Sequence, residues 1–245
     1  MDKSKILSLE YFVAGVPPQV IFLMEIKELR EIVSPLQESW PDGSPRQNSV
    51  AEVSLIGLAA YFEAYCKNQF AAIGNIVPQM LENFCKKRAP QISLIDALKF
   101  SEELSYRAGS LLAEGYDFGN AKGINSLFFD LIGLTPFSQK EAEQYSEFLN
   151  DRNLLVHHGG VFTTKYQEQK YYKISHKDVH WDSLLIDNPT FTYWADFLES
   201  IVRKTSKASV NAINKYFKEN NISCLDEQKK AVKHLLWDID KIGAP

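Results

Sequence analysis

The residues that could do chemistry together lie in one stretch, 151–160, which reads Asp-Arg-Asn-Leu-Leu-Val-His-His-Gly-Gly. An imidazole with its ordinary pKa of about 6.5 can take a proton near neutral pH, so His157 is a candidate general base. The planar guanidinium of Arg152 matches two phosphate oxygens and can stabilise a negatively charged transition state. Asn153 could hold phosphate or orient the imidazole. These side chains have the chemistry to cleave an RNA phosphodiester without a metal ion.

A late predicted helix carries this stretch, from a capping box at residues 138–141 to a terminating pair of glycines. At about 100° per residue, Asn153 and His157 lie about 40° apart on one face, whereas Arg152 and His157 diverge by about 140°. One straight helix therefore cannot easily aim both at one phosphate. Either the helix breaks at the glycines, or an Arg and a His from two antiparallel copies of the helix meet across a symmetric interface. We favour the second arrangement.

The order of these residues is more specific than an Arg and a His at this spacing alone. An Asn follows the Arg directly, an apolar triplet comes next, and the His closes a late helix before two glycines. In this the chain resembles the HEPN superfamily, whose hallmark is Arg-x4-6-His with a polar residue, often Asn, just after the Arg. The resemblance also covers an early long helix around Leu58–Phe70, and so spans about residues 48–160.

The resemblance implies metal-independent RNA cleavage in catalytic members, at sites commonly built from two motif copies across a dimer. Carried over by position, Arg152, Asn153 and His157 would be the catalytic residues, with no cofactor. Such proteins often act as toxins or in defence against phage, so an antitoxin or another regulatory protein could also be a partner. The chain departs from members with an extended His-x-Tyr ending, because Gly159 stands where that Tyr would be.

Several other residues could support the three catalytic candidates. Glu63 and His158 are supporting candidates, and Lys165, Tyr166 and Lys170 could stack bases and hold phosphates beside the site. An ordinary amphipathic hairpin would also explain this interleaving of Tyr and Lys.

Structural roles would also explain the motif itself. Arg152 could pair with Glu63 and so tie two core helices together, and His157 could cap a helix C terminus as a cation. The alternative function is a catalytically inactive HEPN module that binds nucleotide or a partner protein, or that serves as a dimerisation scaffold.

A metal site is the less favoured interpretation of a second cluster, His176, Asp178, His180 and Asp182. Two His residues four apart would align on a helix, but the local sequence looks extended and no third ligand is obvious. A solvated loop is the preferred interpretation. Sequence motifs typical of nucleotide-binding loops, zinc proteases, serine hydrolases and calcium loops are also missing from the chain.

Composition points to a folded protein without a strong global field. The 245 residues carry 27 Lys and Arg against 31 Asp and Glu, a net charge of −4, so any contact with RNA must be local. Three cysteines without zinc spacing fit a reducing compartment. No signal peptide is recognised, and the longest mostly apolar stretch, Tyr11–Met24, is shorter than the roughly 20 residues of a membrane helix. These features predict a soluble cytoplasmic protein.

Helical periodicity predicts an all-α, up-and-down bundle that forms one domain over residues 1–245. A HEPN-like core would cover about residues 48–160, a loop or small hairpin residues 161–188, and additional helices residues 189–245. The helix of residues 50–73 is apolar around most of its circumference, which predicts a central position. Other helices are predicted at residues 19–33, 78–88, 94–112, 124–132, 139–158, 193–218 and 226–239.

Overall fold

The computed structural model describes residues 8–33, 48–91, 93–99, 103–166 and 183–238. These residues contain no β-strand, only an isolated antiparallel bridge between Val161 and Ser183, so the all-α fold class is confirmed. A turn of 3-10 helix, Val13–Gly15, precedes the first α-helix. Nine α-helices lie wholly within the described residues: α1 (Pro18–Val33), α2 (Ser49–Ile76), α3 (Pro78–Arg88), α4 (Leu94–Lys99), α5 (Leu104–Glu114), α6 (Ala121–Ile132), α7 (Gln139–His158), α8 (Asn188–Glu219) and α9 (Asp226–His234).

Helix α2 is the centre of the bundle and packs against α1, α3, α5, α7 and α8. It begins where the side chain of Asn48 accepts a hydrogen bond of 3.0 Å from the backbone N–H of Ala51, which satisfies one of the unpaired donors of the first turn. Phe62 is fully buried on the inward side, with rings from three other parts of the chain around it. Those rings belong to Phe22, Phe137 and Tyr145.

The predicted central position of α2 is confirmed by its contacts with the other helices. One side of the helix nevertheless faces solvent in the described chain. Val53 is 68% exposed, and Ala60 and Tyr61 are also exposed. Apolar residues at the surface of a folded protein are common, and small ones such as Ala60 leave little apolar area exposed.

Most helix limits follow the local signals in the sequence. Pro78 begins α3, and Gly133, in the left-handed conformation, ends α6. The predicted single segment of residues 94–112 is instead two helices, α4 and α5. The last two helices also differ, because α8 begins at Asn188, where Asp187 caps it, and α9 ends at His234. The Trp40–Pro45 stretch, whose Pro, Asp, Gly and Ser residues predict a loop, lies outside the described residues.

Helix α7, which carries the motif, is held to the bundle by aromatic side chains on one side. The Tyr145 ring is stacked on Phe137 at 5.0 Å between centroids and lies 5.2 Å from Phe62 of α2. One turn further, Phe148 contacts Trp194 of α8 at 5.4 Å. Both α7 residues are buried, whereas Asn153 and His157 near the end of the same helix face solvent. The packing of these aromatic side chains therefore determines which side of α7 faces solvent.

The start of α7 is fixed by the predicted capping box, which is confirmed. The backbone N–H of Ser138 donates to the Glu141 carboxylate at 2.8 Å, and the N–H of Glu141 donates to Ser138 Oγ at 3.4 Å. The ammonium of Lys204 on α8 also donates to both carboxylate oxygens of Glu141 at 2.6 Å. Burial alone would raise the pKa of Glu141, but the hydrogen bonds from Lys204 and Ser138 outweigh it and lower that pKa.

A Glu141→Gln variant should lose stability in a pH-dependent way. Because the folded pKa is lowered, the ionised carboxylate stabilises the native state above its unfolded pKa of about 4.3, and this contribution disappears as pH falls through the folded value. We expect the variant to unfold at lower urea concentration than wild type at pH 7 and the difference to shrink toward pH 3. Replacing Lys204 with Met should reduce the difference at pH 7, whereas a difference unchanged with pH would contradict this origin.

The three cysteines of the chain are free thiols. Cys66, Cys85 and Cys224 form no disulfide. Burial raises the pKa of all three thiols, and that of Cys66 is raised well above its usual value because the charge of Glu63 adds to its burial. A protonated thiol is a poor nucleophile, so these side chains act as small apolar groups in the packing.

Among the described residues, no helix combines the length with the apolar character that crossing a bilayer requires.

Candidate active site

Two glycines end α7 and turn the chain back, as the sequence predicts. Gly159 and Gly160 have φ of 57° and 81°, a left-handed conformation that favours glycine. Their N–H groups donate to the carbonyls of Leu155 and Leu154, each at 3.2 Å, which satisfies carbonyls left unpaired at the helix end. The glycine pair therefore stops the helix and sends the next residues back alongside it.

The described residues that follow the glycines, 161–166, form the returning segment, and backbone hydrogen bonds fix its start. The N–H of Val161 donates to the carbonyl of His158 at 3.0 Å, and the N–H of Leu184 donates to the carbonyl of Gly160 at 2.8 Å. With the bridge between Val161 and Ser183, these are the β-type contacts that the structure describes in the predicted loop or hairpin of residues 161–188. Two stretches of it, 161–164 and 171–174, have β-favouring residues. Residues 164–166 are helical, and residues 171–174 lie outside the described residues.

The end of α7 and the returning segment enclose a cleft of about 210 Å³, the motif cleft. The described residues that line it combine imidazole, amide, hydroxyl and ammonium groups with one apolar side chain, and none of them is a carboxylate: Asn150, Asn153, Leu154, His157, His158, Thr163, Lys165 and Tyr166. Five of the predicted site residues are therefore brought together within one chain. Lys170, another predicted site residue, lies outside the described residues.

The two imidazoles of the motif cleft are both accessible. His157 and His158 are exposed, and their ring centroids lie 6.5 Å apart. Asn153 is exposed one helical turn before His157, on the same face, as the helical angle predicts. Lys165 is exposed on the returning segment. The cleft therefore offers groups that can transfer protons and a cation that can attract a phosphate.

Arg152 lies apart from these groups. It is half-buried, does not line the motif cleft, and makes no hydrogen bond or ion pair with any residue of the described chain. The charge of Arg152 instead affects the pKa of the Tyr145 phenol. Burial is the main cause that raises this pKa, and Cys66 and Glu63 raise it further, whereas Arg152 lowers it. The guanidinium and the imidazole of one chain thus diverge, as predicted from their positions on the helix.

The suggested ion pair between Arg152 and Glu63 does not form. Both residues are half-buried and both influence Tyr145, but within the described structure no salt bridge or hydrogen bond joins them. The prediction failed because two residues on neighbouring helices can approach the same third side chain without facing each other. Glu63 is therefore not in contact with the motif cleft and acts through the electrostatics of the core.

A buried hydrogen bond behind the motif cleft escaped sequence reasoning. The hydroxyl of Tyr166 donates to Oδ1 of Asp151 at 2.9 Å, with Asp151 only 2% exposed and Tyr166 only 5%. The Tyr166 ring is also stacked on Phe162 at 5.2 Å. The available signal was an Asp on the apolar face of the helix, three residues after Phe148, because ionisable side chains rarely occupy such positions without a partner.

Tyr166→Phe should weaken the fold without removing apolar packing. The substitution deletes the buried hydrogen bond to the Asp151 side chain, so we expect the free energy of unfolding to fall by about 1–3 kcal/mol, measured by urea denaturation. Tyr193→Phe is the matched control, since the Tyr193 hydroxyl accepts a hydrogen bond from Gln144 at a 55% exposed position. It should change stability by less than about 0.5 kcal/mol. Equal effects of the two substitutions would contradict a structural role for Tyr166.

A second, larger cavity has a different character. It measures about 400 Å³ and lies between the end of α3 and the end of α5. The described residues that line it include one carboxylate and no cationic side chain: Pro90, Gln91, Ser93, Leu111, Leu112, Glu114, Gly115 and Tyr116. A polyanion would find no countercharge there, so the motif cleft is the better candidate for a phosphate-containing ligand.

No cluster of three or more His, Cys, Asp or Glu side chains in the described part of the chain is placed to hold a metal ion. The His176, Asp178, His180 and Asp182 group falls outside those residues. The motif cleft can bind a phosphate through Lys165 and Asn153 and can transfer protons through its imidazoles. Comparison of the chain with protein-family models, with curated proteins and with solved structures found no match.

Proposed function

We propose that this protein is a metal-independent endoribonuclease of HEPN type that acts as a homodimer. The observation that carries the proposal is the motif cleft, in which two exposed imidazoles, two amides and an ammonium converge, with no carboxylate among the described residues that line it. A site of this composition attracts a phosphodiester and supplies proton transfer without a cofactor. RNA carries its own nucleophile, the 2′-hydroxyl, which DNA lacks.

In the proposed reaction, His157 takes the proton of the 2′-hydroxyl, and the 2′-oxygen attacks phosphorus. The products are a cyclic phosphate and a 5′-hydroxyl end. Asn153 holds a phosphate oxygen or orients the imidazole from the same helical face. Arg152 stabilises the charge that develops on phosphorus, but it does so in the cleft of the second copy, because it points away from the cleft of its own chain.

The dimer also accounts for the state of Arg152. A half-buried guanidinium without a hydrogen-bond partner in the described chain has lost part of its hydration and has donors to offer. In a symmetric dimer, the Arg152 of each copy would offer its donors to the cleft of the other copy, which would give an acidic protein a local positive cleft. A role as a toxin or in antiphage defence, with an antitoxin or regulatory partner, belongs to the same proposal and rests on the resemblance alone.

Cleavage of RNA by the purified protein in EDTA tests the activity. We expect fragments ending in a cyclic phosphate, and no cleavage of DNA of the same sequence. Binding of nucleotide or RNA without cleavage would instead favour the catalytically inactive module.

A mixing experiment tests the shared site. Arg152→Ala and His157→Ala proteins should each be inactive, yet after unfolding and refolding together they should regain about a quarter of wild-type activity. Half of randomly paired dimers are mixed, and each mixed dimer holds one intact site. A mixture as inactive as its components, while sedimenting as a dimer, would contradict the exchange of Arg152 between copies.

A further inference from the structure

The described residues of the motif cleft include two imidazoles, but the reaction proposed above assigns a proton transfer to only one of them, His157. Transesterification of RNA needs two proton transfers, one from the attacking 2′-hydroxyl and one to the departing 5′-oxygen. A cleft with a single acid–base group would leave the second transfer to water. Assigning this second transfer to a residue rests on the proposed ribonuclease function.

His157 and His158 face the same cleft even though consecutive residues of a helix point about 100° apart. They do so because α7 ends at His158 and the returning segment, with Thr163 and Lys165, closes the cleft against the last turn. Their ring centroids are 6.5 Å apart with an angle of 68° between the planes, and no hydrogen bond joins the rings in the described structure. One phosphodiester can therefore reach both rings, since each needs an oxygen at about 2.7–3.2 Å.

We propose that His158 is the general acid of the site and that His157 is the general base, both supplied by one chain. Neutral His157 accepts the proton of the 2′-hydroxyl as the bond from the 2′-oxygen to phosphorus forms. Protonated His158 gives its proton to the 5′-oxygen as the bond from phosphorus to that oxygen breaks. The pair ends with the opposite protonation, and water restores it when the cyclic phosphate is hydrolysed or released.

The assignment of the two roles follows from the position of each residue on α7. A cation is most favoured at the very C terminus of a helix, and His158 is the last helical residue. His157 shares its face with Asn153, a neutral group that can orient an uncharged imidazole. Among the described residues that line the cleft, the other titratable groups are Lys165 and Tyr166, and the Tyr166 hydroxyl is already hydrogen-bonded to Asp151. Lys165 is thus the cation available to hold the phosphate between the rings.

A change of leaving group separates acid from base. Departure of a 5′-hydroxyl needs a proton, whereas departure of p-nitrophenolate does not. We expect His158→Ala to lower cleavage of a dinucleotide substrate by about 100-fold or more, but to cleave uridine 3′-(p-nitrophenyl phosphate) within a few-fold of wild type. His157→Ala should lose activity on both substrates, because both need the 2′-hydroxyl to be deprotonated.

Two further variants, His158→Gln and Lys140→Ala, serve as a second test of the acid role and as a control. The Gln variant keeps a polar side chain but cannot give up a proton, so it should behave as His158→Ala does. Lys140 is exposed at the far end of α7 and its variant should match wild type on both substrates. Wild-type cleavage of the dinucleotide by either His158 variant, or an equal loss on both substrates, would overturn the acid role while leaving the ribonuclease proposal intact. A wild-type protein that cuts neither substrate would refute both.

Discussion

His157→Ala should lower the rate of RNA cleavage by at least about 100-fold when measured in EDTA under single-turnover conditions. The reason is that, among the described residues that line the motif cleft, the one other imidazole, His158, is assigned to the departing oxygen and cannot also serve the attacking one. The exposure of His157 makes the test clean, because truncating a solvent-facing side chain costs little stability. We therefore expect the variant to keep the wild-type circular dichroism spectrum and denaturation midpoint.

Lys140→Ala is the control for this measurement. It removes an exposed side chain from the first turn of the same helix, about 25 Å from His157 along the helix axis, and should retain full activity. If His157→Ala cleaves RNA at the wild-type rate while Lys140→Ala does so too, the activity does not reside in the motif cleft.

Phe62→Ala should destabilise the fold more than any substitution in the motif cleft. Removing a fully buried ring at the centre of the bundle leaves a cavity, and such changes cost about 3–5 kcal/mol of unfolding free energy. The same ring lies 5.2 Å from Tyr145, which seats the motif helix, so the variant should also lose activity. Urea denaturation followed by circular dichroism gives the stability, and the EDTA assay gives the activity.

Phe129→Ala provides the matched comparison, because it removes the same side chain from a position on α6 that is 57% exposed. We expect it to change stability by less than about 1 kcal/mol and to leave activity unchanged. Similar losses for the two phenylalanines would mean that the aromatic cluster around Phe62 is not the core of the fold.

Local signals in the sequence predicted much of the helical framework. The capping box at Ser138 and the terminating Gly159 each act through a few neighbouring backbone groups, so a short stretch of sequence contains the whole cause. The exposed face of α2 was not predicted, because burial depends on which helices happen to lie alongside. Helical periodicity identifies an apolar face but not its neighbours.

In the candidate site, too, the relations within one helix could be predicted from the sequence, whereas the contacts between separate segments could not. Asn153 and His157 share a face because one helix carries both, and Arg152 diverges for the same reason, so these relations followed from angles alone. The hydrogen bond between Tyr166 and Asp151, and the failure of Arg152 to meet Glu63, depend on how separate segments approach each other. Contacts of this kind need the coordinates of both partners.

In the part of the chain that the structure describes, the side chains that line the motif cleft all come from one short stretch, between Asn150 and Tyr166. Fraying of a single helix end would therefore dismantle the cleft while the rest of the bundle stayed folded. We expect enzymatic activity to disappear on heating before the helical signal of the protein does. Amide hydrogens in this stretch should likewise exchange with solvent sooner than those of α2.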